Sequence, residues 1–279
     1  MSVERLREAV ERLATETDPP AEEARAVVGE LLDALEAGIV RAALPEGPIW
    51  VAQSWVKRGI LLAFRVGRNR SEHAGTSFHF RDRDTLPTWD PERAARDVRI
   101  VPGGTTIRRG AHLAPGVVVM PPAYVNVGAY VGAGSMIDSH ALVGSCAQVG
   151  AGVHLSAAAQ IGGVLEPIGA LPVVIEDDAF IGGGCGVYEG TRVGRGAVLA
   201  PGVVLSRAVP LYDLSSGRIH RAGPDRPLEV PEGAVVVAGT RPAEGEFARA
   251  HGLQLGAALI VKYRDARTQA ATALEEALR

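Results

Sequence analysis

Every sixth residue from Val101 is aliphatic: Val101, Ile107, Leu113, Val119, Val125, Val131, Ile137, Val143, Val149, Leu155 and Ile161. With about one residue in three aliphatic, such a run would arise by chance roughly once in 180,000 trials. The register slips over 163–174 and resumes at Ile175, Ile181, Val187, Val193, Leu199 and Leu205. Glycine follows the aliphatic at 132, 144, 150, 162, 182 and 194. A period of six belongs neither to an α-helix nor to an ordinary strand. It fits short strands closed by tight turns, with one aliphatic per segment pointing inward and glycine permitting the turn backbone. Hexapeptide repeats of this kind signal a parallel β-helix, whose coils stack at strand spacing around a dry column of Val, Ile and Leu. The slip at 163–174 reads as a loop ejected from the coil. The stretch 206–232 reads as a second excursion, with Val236 returning to the column.

The flanks follow other patterns. Val3, Leu6, Val10 and Leu13 have helical spacing, and a second helix opens after Pro19-Pro20 and carries Ala24, Val27, Leu31 and Leu35 to a stop at Gly38. Between 45 and 98, "WVAQSWVKRGILLAF" fits a helix and "TSFHFRD" a strand, and the pattern leaves the rest open. From 241 onward come a strand-like run, "GAALIVKYRD", and a terminal helix, "DARTQAATALEEALR". The expected fold is mainly β: an α-rich domain over 1–98, a parallel β-helix over 99–240, and a small strand and helix extension over 241–279.

Composition narrows the function. Net charge is −3 and the pI near 6.2, so no basic field suits nucleic acid. Two cysteines, Cys146 and Cys185, are too few for a disulfide framework. The N-terminus is charged and amphipathic, and no apolar run reaches the length of a membrane span. A cytoplasmic protein is expected. The outward-facing residues of the prism, such as Val118, Ala157, Ala158 and Ala159, are small or apolar, which suits packing against other prisms.

From Val101 to Leu205 there are ten charged residues, and between Arg109 and Glu166 the single one is Asp138. A lone carboxylate beside an inward Ile137 either bonds its own turn backbone or, once covered by a neighbouring subunit, needs a cationic partner such as a substrate ammonium. Glu189, in "GGGCGVYEGTRVG", reads either as a solvated glutamate at a turn or as a site residue where three upstream glycines let a ligand approach the backbone. The triplet Glu176-Asp177-Asp178 reads as a solvated turn, and Cys146 as a small packing residue. His112, His140 and His154 lack the close pair, five apart, that the trimeric γ-class carbonic anhydrases use for zinc, so metal and base roles are both disfavoured.

The segments "YVNVGAYV", "VGSCAQVG", "VHLS" and "IGGVLEP" resemble the core of the tetrahydrodipicolinate N-succinyltransferases, enzymes of bacterial lysine and diaminopimelate synthesis. The agreement continues through "VIEDDAFIG", "YEG", "LYD" and "ALIVKYRDARTQ" and covers roughly 99–270. The resemblance implies a left-handed β-helix and a homotrimer with sites between subunits. It implies direct acyl transfer from succinyl-coenzyme A to the amine of 2-amino-6-oxopimelate, the opened acceptor, with no metal or prosthetic group. It places Arg99 at an acceptor carboxylate, and Asp138 and Glu189 at the acceptor amine, where one or both would anchor the ammonium and help remove its proton. Lys262, with Arg264, would meet a coenzyme A phosphate. Asp138 and Glu189 are 51 residues apart, nearly three coils of eighteen. In one subunit they would stack about 14 Å apart and share a substrate only across subunits. Two departures stand out. After "FIG" the proteobacterial pattern has alanine, arginine and serine, where this chain has "GGCGVYEG", and Ser139-His140 replace a Trp-containing stretch. The missing arginine leaves acetyl transfer to the same acceptor as an alternative; a trimeric metal hydrase or a structural β-helix is a more distant one.

Overall fold

The computed structural model describes residues 1–75, 78–92, 97–224 and 226–264. From Arg99 onward, two-residue strands recur every six residues and stack into three parallel sheets. The first face runs through Arg99–Ile100, Val118–Val119, Met136–Ile137, His154–Leu155, Phe180–Ile181 and Val198–Leu199. The second runs from Thr106–Ile107 to Val204–Leu205, and the third from His112–Leu113 to Glu229–Val230. Residues eighteen apart sit in register, as Val131 between Leu113 and Val149. The result is a parallel β-helix, and its aliphatic column is buried throughout.

Each side of a coil sends two side chains inward where the sequence pattern suggested one. The sixth-position aliphatic is joined by the small residue two places before it, as Ala129 with Val131 and Ala147 with Val149, all buried. Ala159, expected on the outside, is the inward partner of Ile161, whereas Ala157 and Ala158 are exposed. The glycines also divide differently. Positive φ falls two residues after those that follow the aliphatic, as at Gly134 (φ 68°) and Gly152 (φ 64°). Gly132 and Gly144 are needed for close approach: a Cβ there would lie 2.5 Å and 2.1 Å from the backbone of the next coil.

Both excursions leave at one place, the edge between the second and third faces. Four residues turn that edge at 126–129 and 144–147; twelve do so at 162–173 and twenty-three at 206–228. The chain re-enters the coil at Glu229–Val230, beside Arg192–Val193. The column therefore resumes at Val230, earlier than the expected Val236; Leu205 and Val230 are not spaced by a multiple of six, which hid the return. Within the second excursion, Leu211–Asp213 and Arg218–His220 form strands. They join the first face through Gln254–Tyr263, which also pairs antiparallel with Ala234–Pro242. The expected strand in "GAALIVKYRD" is this one; the expected helix over 265–279 lies outside the described residues.

The N-terminal residues build a second core. Helices α1 (Val3–Thr15), α2 (Ala21–Glu36) and α3 (Ser54–Val66) bury Leu6, Val10, Leu13, Leu31 and Ile60. That core includes Val127 and Cys146 from the edge between the second and third faces, so the helices are seated on the prism. Two hairpins, Ala43–Glu46 with Ile49–Ala52 and Asn69–Ala74 with Phe78–Arg83, complete this region. The helix expected from Trp50 starts only at Ser54, and Trp50–Ala52 are strand; the strand expected in "TSFHFRD" is Phe78–Arg83. The first hairpin lies against the third face. The guanidinium of Arg41 stacks 3.7 Å from the Tyr130 ring and its Nε donates to Gln148 Oε1 at 2.9 Å. Trp50 Nε1 donates to Glu176 at 3.0 Å, and Arg192 Nε to the same oxygen at 2.9 Å. Glu176, expected in a solvated turn, is thus a half-buried docking group. No helix among the described residues is long and apolar enough to cross a membrane.

Candidate active site on two edges of the prism

Asp138 stands on the edge between the first and second faces. Its carbonyl accepts from Ala141 N at 3.1 Å, and His140 takes φ 63° to close the turn. One carboxylate oxygen accepts from Ser139 N at 2.7 Å. The side chain is half-buried, so the turn role uses one oxygen only. Arg99 is exposed on the lowest rung of the first face, two rungs beneath the strand Met136–Ile137 that precedes Asp138, about 10 Å along the axis.

Glu189 stands on the edge between the second and third faces. The Tyr188 carbonyl accepts from Thr191 N at 3.1 Å, and both Glu189 (φ 54°) and Gly190 (φ 72°) are left-handed. At 144–147 one residue, Cys146, is left-handed. A left-handed non-glycine costs roughly 1 kcal/mol, and the side chain carried here is exposed. Oε2 accepts from Arg207 N at 2.9 Å. The two excursions wall the glutamate into a cavity of about 870 Å³ lined by Val164, Glu166, Tyr188, Glu189, Arg207 and Pro224, among others. Lys57, buried on α3, pins the first excursion from behind through Nζ to Ala170 O at 2.5 Å; burial lowers its pKa.

The two acids do not stack as the spacing suggested. The ejected loop adds eight residues outside the repeat, so the 51 positions amount to two coils and about one face. Glu189 is two coils above Asp138, about 10 Å along the axis, and on a different edge. One chain therefore presents the two carboxylates in different directions.

Lys262 is half-buried on the strand beside Val235, well above Asp138 on the first face. Arg264 follows, its N–H donating to Gly233 O at 2.7 Å, with Nη1 buried and unpaired among the described residues. Neither is brought to Asp138 or Glu189 within the chain. Cys146 is fully buried and burial pushes its thiol up to about 12; burial also raises Cys185, whose Sγ donates to Ala200 O. Neither is a poised nucleophile. Among the described residues no group of three or more His, Cys, Asp or Glu could hold a metal ion. Arg207 and Lys57 escaped the sequence reading. Arg207 had a signal, since it follows Glu189 by one full coil of eighteen; Lys57 had none, because its partner lies in the ejected loop.

Stacked two-residue strands around an aliphatic column, with carboxylates held at the corners, define a hexapeptide-repeat β-helix protein. Residues 3–66 match the family model of the tetrahydrodipicolinate N-succinyltransferase N-terminal region, and 172–207 match the hexapeptide repeat of succinyl-transferase. Three curated relatives carry the name 2,3,4,5-tetrahydropyridine-2,6-dicarboxylate N-succinyltransferase. That of Psychrobacter arcticus is 43% identical, covering 92% of this chain and 91% of the relative. That of Paramagnetospirillum magneticum is 42% identical over 92% and 90%, and that of Dechloromonas aromatica 38% over 91% and 89%. The chain belongs to the tetrahydrodipicolinate N-succinyltransferase family. The match reaches the N-terminal helices, which resembled the family only in general character.

Proposed function

We propose that the protein moves a succinyl group from succinyl-coenzyme A to the amino group of 2-amino-6-oxopimelate, the opened form of tetrahydrodipicolinate, in diaminopimelate and lysine synthesis in the cytoplasm. The reading rests on 38–43% identity over more than nine-tenths of the chain to relatives of that name. The acceptor amine arrives protonated and has no lone pair until a base removes a proton. Asp138 and Glu189 are the carboxylates for this work, one anchoring the ammonium and one taking its proton. The freed nitrogen attacks the thioester carbon, a tetrahedral oxyanion forms, and the carbon–sulfur bond breaks. Coenzyme A leaves as a thiolate that takes up a proton, while the nitrogen sheds its second proton to become an amide. Backbone N–H groups in the groove are the oxyanion donors. Arg99 holds one acceptor carboxylate, and Lys262 and Arg264 meet coenzyme A phosphate.

We place the site between copies in a homotrimer. Asp138 and Glu189 sit on different edges, so one acceptor reaches both only where the first edge of one prism faces the second edge of its neighbour. Acetyl transfer is kept as a second reading by one observation: the first edge is bare glycine at Gly182, Gly183 and Gly184, where the proteobacterial pattern places an arginine. The test is coenzyme A release from succinyl- and acetyl-coenzyme A with L-2-aminopimelate as acceptor analogue. Turnover with the succinyl donor is expected; turnover with acetyl-coenzyme A alone would replace the donor, and release from neither would sink the acyl-transfer reading.

A further inference from the structure

We infer that Arg207 is the cation that binds the α-carboxylate of the acceptor, beside the Glu189 carboxylate that takes its ammonium; this rests on the reaction proposed above. Arg207 follows Glu189 by one coil, so the two stand one rung apart on the same edge, about 4.8 Å along the axis. Its backbone N–H already donates to Glu189 Oε2 at 2.9 Å. Its guanidinium is oriented by the second excursion, with Nη2 donating to the carbonyls of Gly223 and Pro224. Two neutral carbonyls fix direction without cancelling charge, and among the described residues no carboxylate forms an ion pair with this guanidinium. Nη1 and Nε keep their donors for a ligand.

The charge pattern selects the ligand. The cavity of about 870 Å³ is lined by Glu166, Glu189 and Arg207. Two carboxylates and one guanidinium disfavour a bare dianion and favour a group carrying both signs. An α-amino acid end is such a group, with ammonium and carboxylate on one carbon, and a Glu–Arg pair one rung apart matches it. The acceptor has two carboxylates, and Arg99 accounts for one. Arg207 supplies the second cation, on the edge opposite in the assembled site, so the acceptor is read at both ends.

The test uses the full-length protein with L-2-aminopimelate and with 6-aminohexanoate, the same chain without the α-carboxylate. For Arg207→Met the KM for L-2-aminopimelate rises roughly 10- to 100-fold, the worth of one charge-assisted pair. Its kcat stays within a few-fold and the KM for succinyl-coenzyme A is unchanged. Arg207→Lys recovers part of the loss and guards against a folding defect, because it keeps the charge. With 6-aminohexanoate, kcat/KM is the same in the wild type and both variants. An unchanged KM for L-2-aminopimelate in Arg207→Met overturns the inference. So does a rise confined to succinyl-coenzyme A, which would assign the guanidinium to the donor's free carboxylate. Failure of the wild-type protein to acylate L-2-aminopimelate overturns the reaction itself, and this inference with it.

Discussion

The edge carrying Asp138 and the edge carrying Glu189 are built from the same six-residue unit but are used differently. The first turns in four residues at every coil from 120–123 to 200–203 and stays narrow. The second receives the N-terminal helices against Val127 and Cys146, ejects 162–173, holds Glu189, and ejects 206–228. The prism thus concentrates its insertions on one corner and leaves the other two smooth. A smooth edge can enter the groove of a neighbour, whereas a decorated edge supplies the groove. That asymmetry is the structural argument for a site completed between copies.

The largest expected effect breaks the comparison directly. Asp138→Asn and Glu189→Gln should each fold and each lower kcat by about 10²- to 10⁴-fold, the usual range for a lost general base or its equivalent. Co-refolded in equal amounts, the two inactive variants should recover roughly a quarter of wild-type activity, because that share of groove pairings joins an intact Asp138 to an intact Glu189. No recovery would mean that the acids do not meet across copies.

The column was legible in the sequence because burial acts on each inward position separately, and Val, Ile or Leu at every sixth residue is the direct record of it. Helices α1 and α2 were legible for the same reason at a different period. The hairpin Ala43–Glu46 with Ile49–Ala52 was not, since its sequence, "ALPEGPIWVA", carries little strand pattern of its own and is held by Arg41 and Trp50 against the third face. The corners were half legible. A corner aspartate fits a turn and a site equally well, so spacing alone could not separate a structural Asp138 from a functional one, and the functional reading came from the family resemblance. The same spacing misplaced Glu189 because an ejected loop changes the count without changing the coil.

Stability should sort by region as activity sorts by edge. Leu155 is fully buried in the column, and Leu155→Ala should lower unfolding stability by about 2–5 kcal/mol in denaturant titrations. A loss under 1 kcal/mol would mean that the column is not close-packed. A smaller loss is expected in the second excursion. Asp213 is buried, and burial alone would raise its pKa. Hydrogen bonds from Ser215, Ser216 and Tyr263 outweigh burial and hold it well below the ordinary 3.8. A depressed carboxylate stabilises the fold fully above the unfolded pKa and loses that contribution as pH falls through the folded value. Asp213→Asn should therefore cost about 2 kcal/mol at pH 7, and the gap from wild type should start to narrow only below about pH 4 and keep narrowing as pH falls toward the depressed folded value. A gap independent of pH would show that the excursion is held by packing alone.

The smallest effect separates backbone strain from chemistry at the two edges. His140 and Glu189 are both left-handed, at φ 63° and 54°, one on each edge. Glycine relieves that strain, so His140→Gly and Glu189→Gly should each gain about 0.5–1 kcal/mol of stability in thermal or denaturant unfolding. Asp138 lies two residues before His140 and its turn bond to Ser139 is unaffected, so His140→Gly should keep most of the acyl-transfer rate. Glu189→Gly should lose it. Equal activity loss in both would make His140 a participant on the smooth edge, and a stability loss in Glu189→Gly would show that the carboxylate bond from Arg207 N outweighs the strained backbone. The expected outcome, more stable and inactive, would mark Glu189 as a residue kept for its carboxylate at the expense of the turn that carries it.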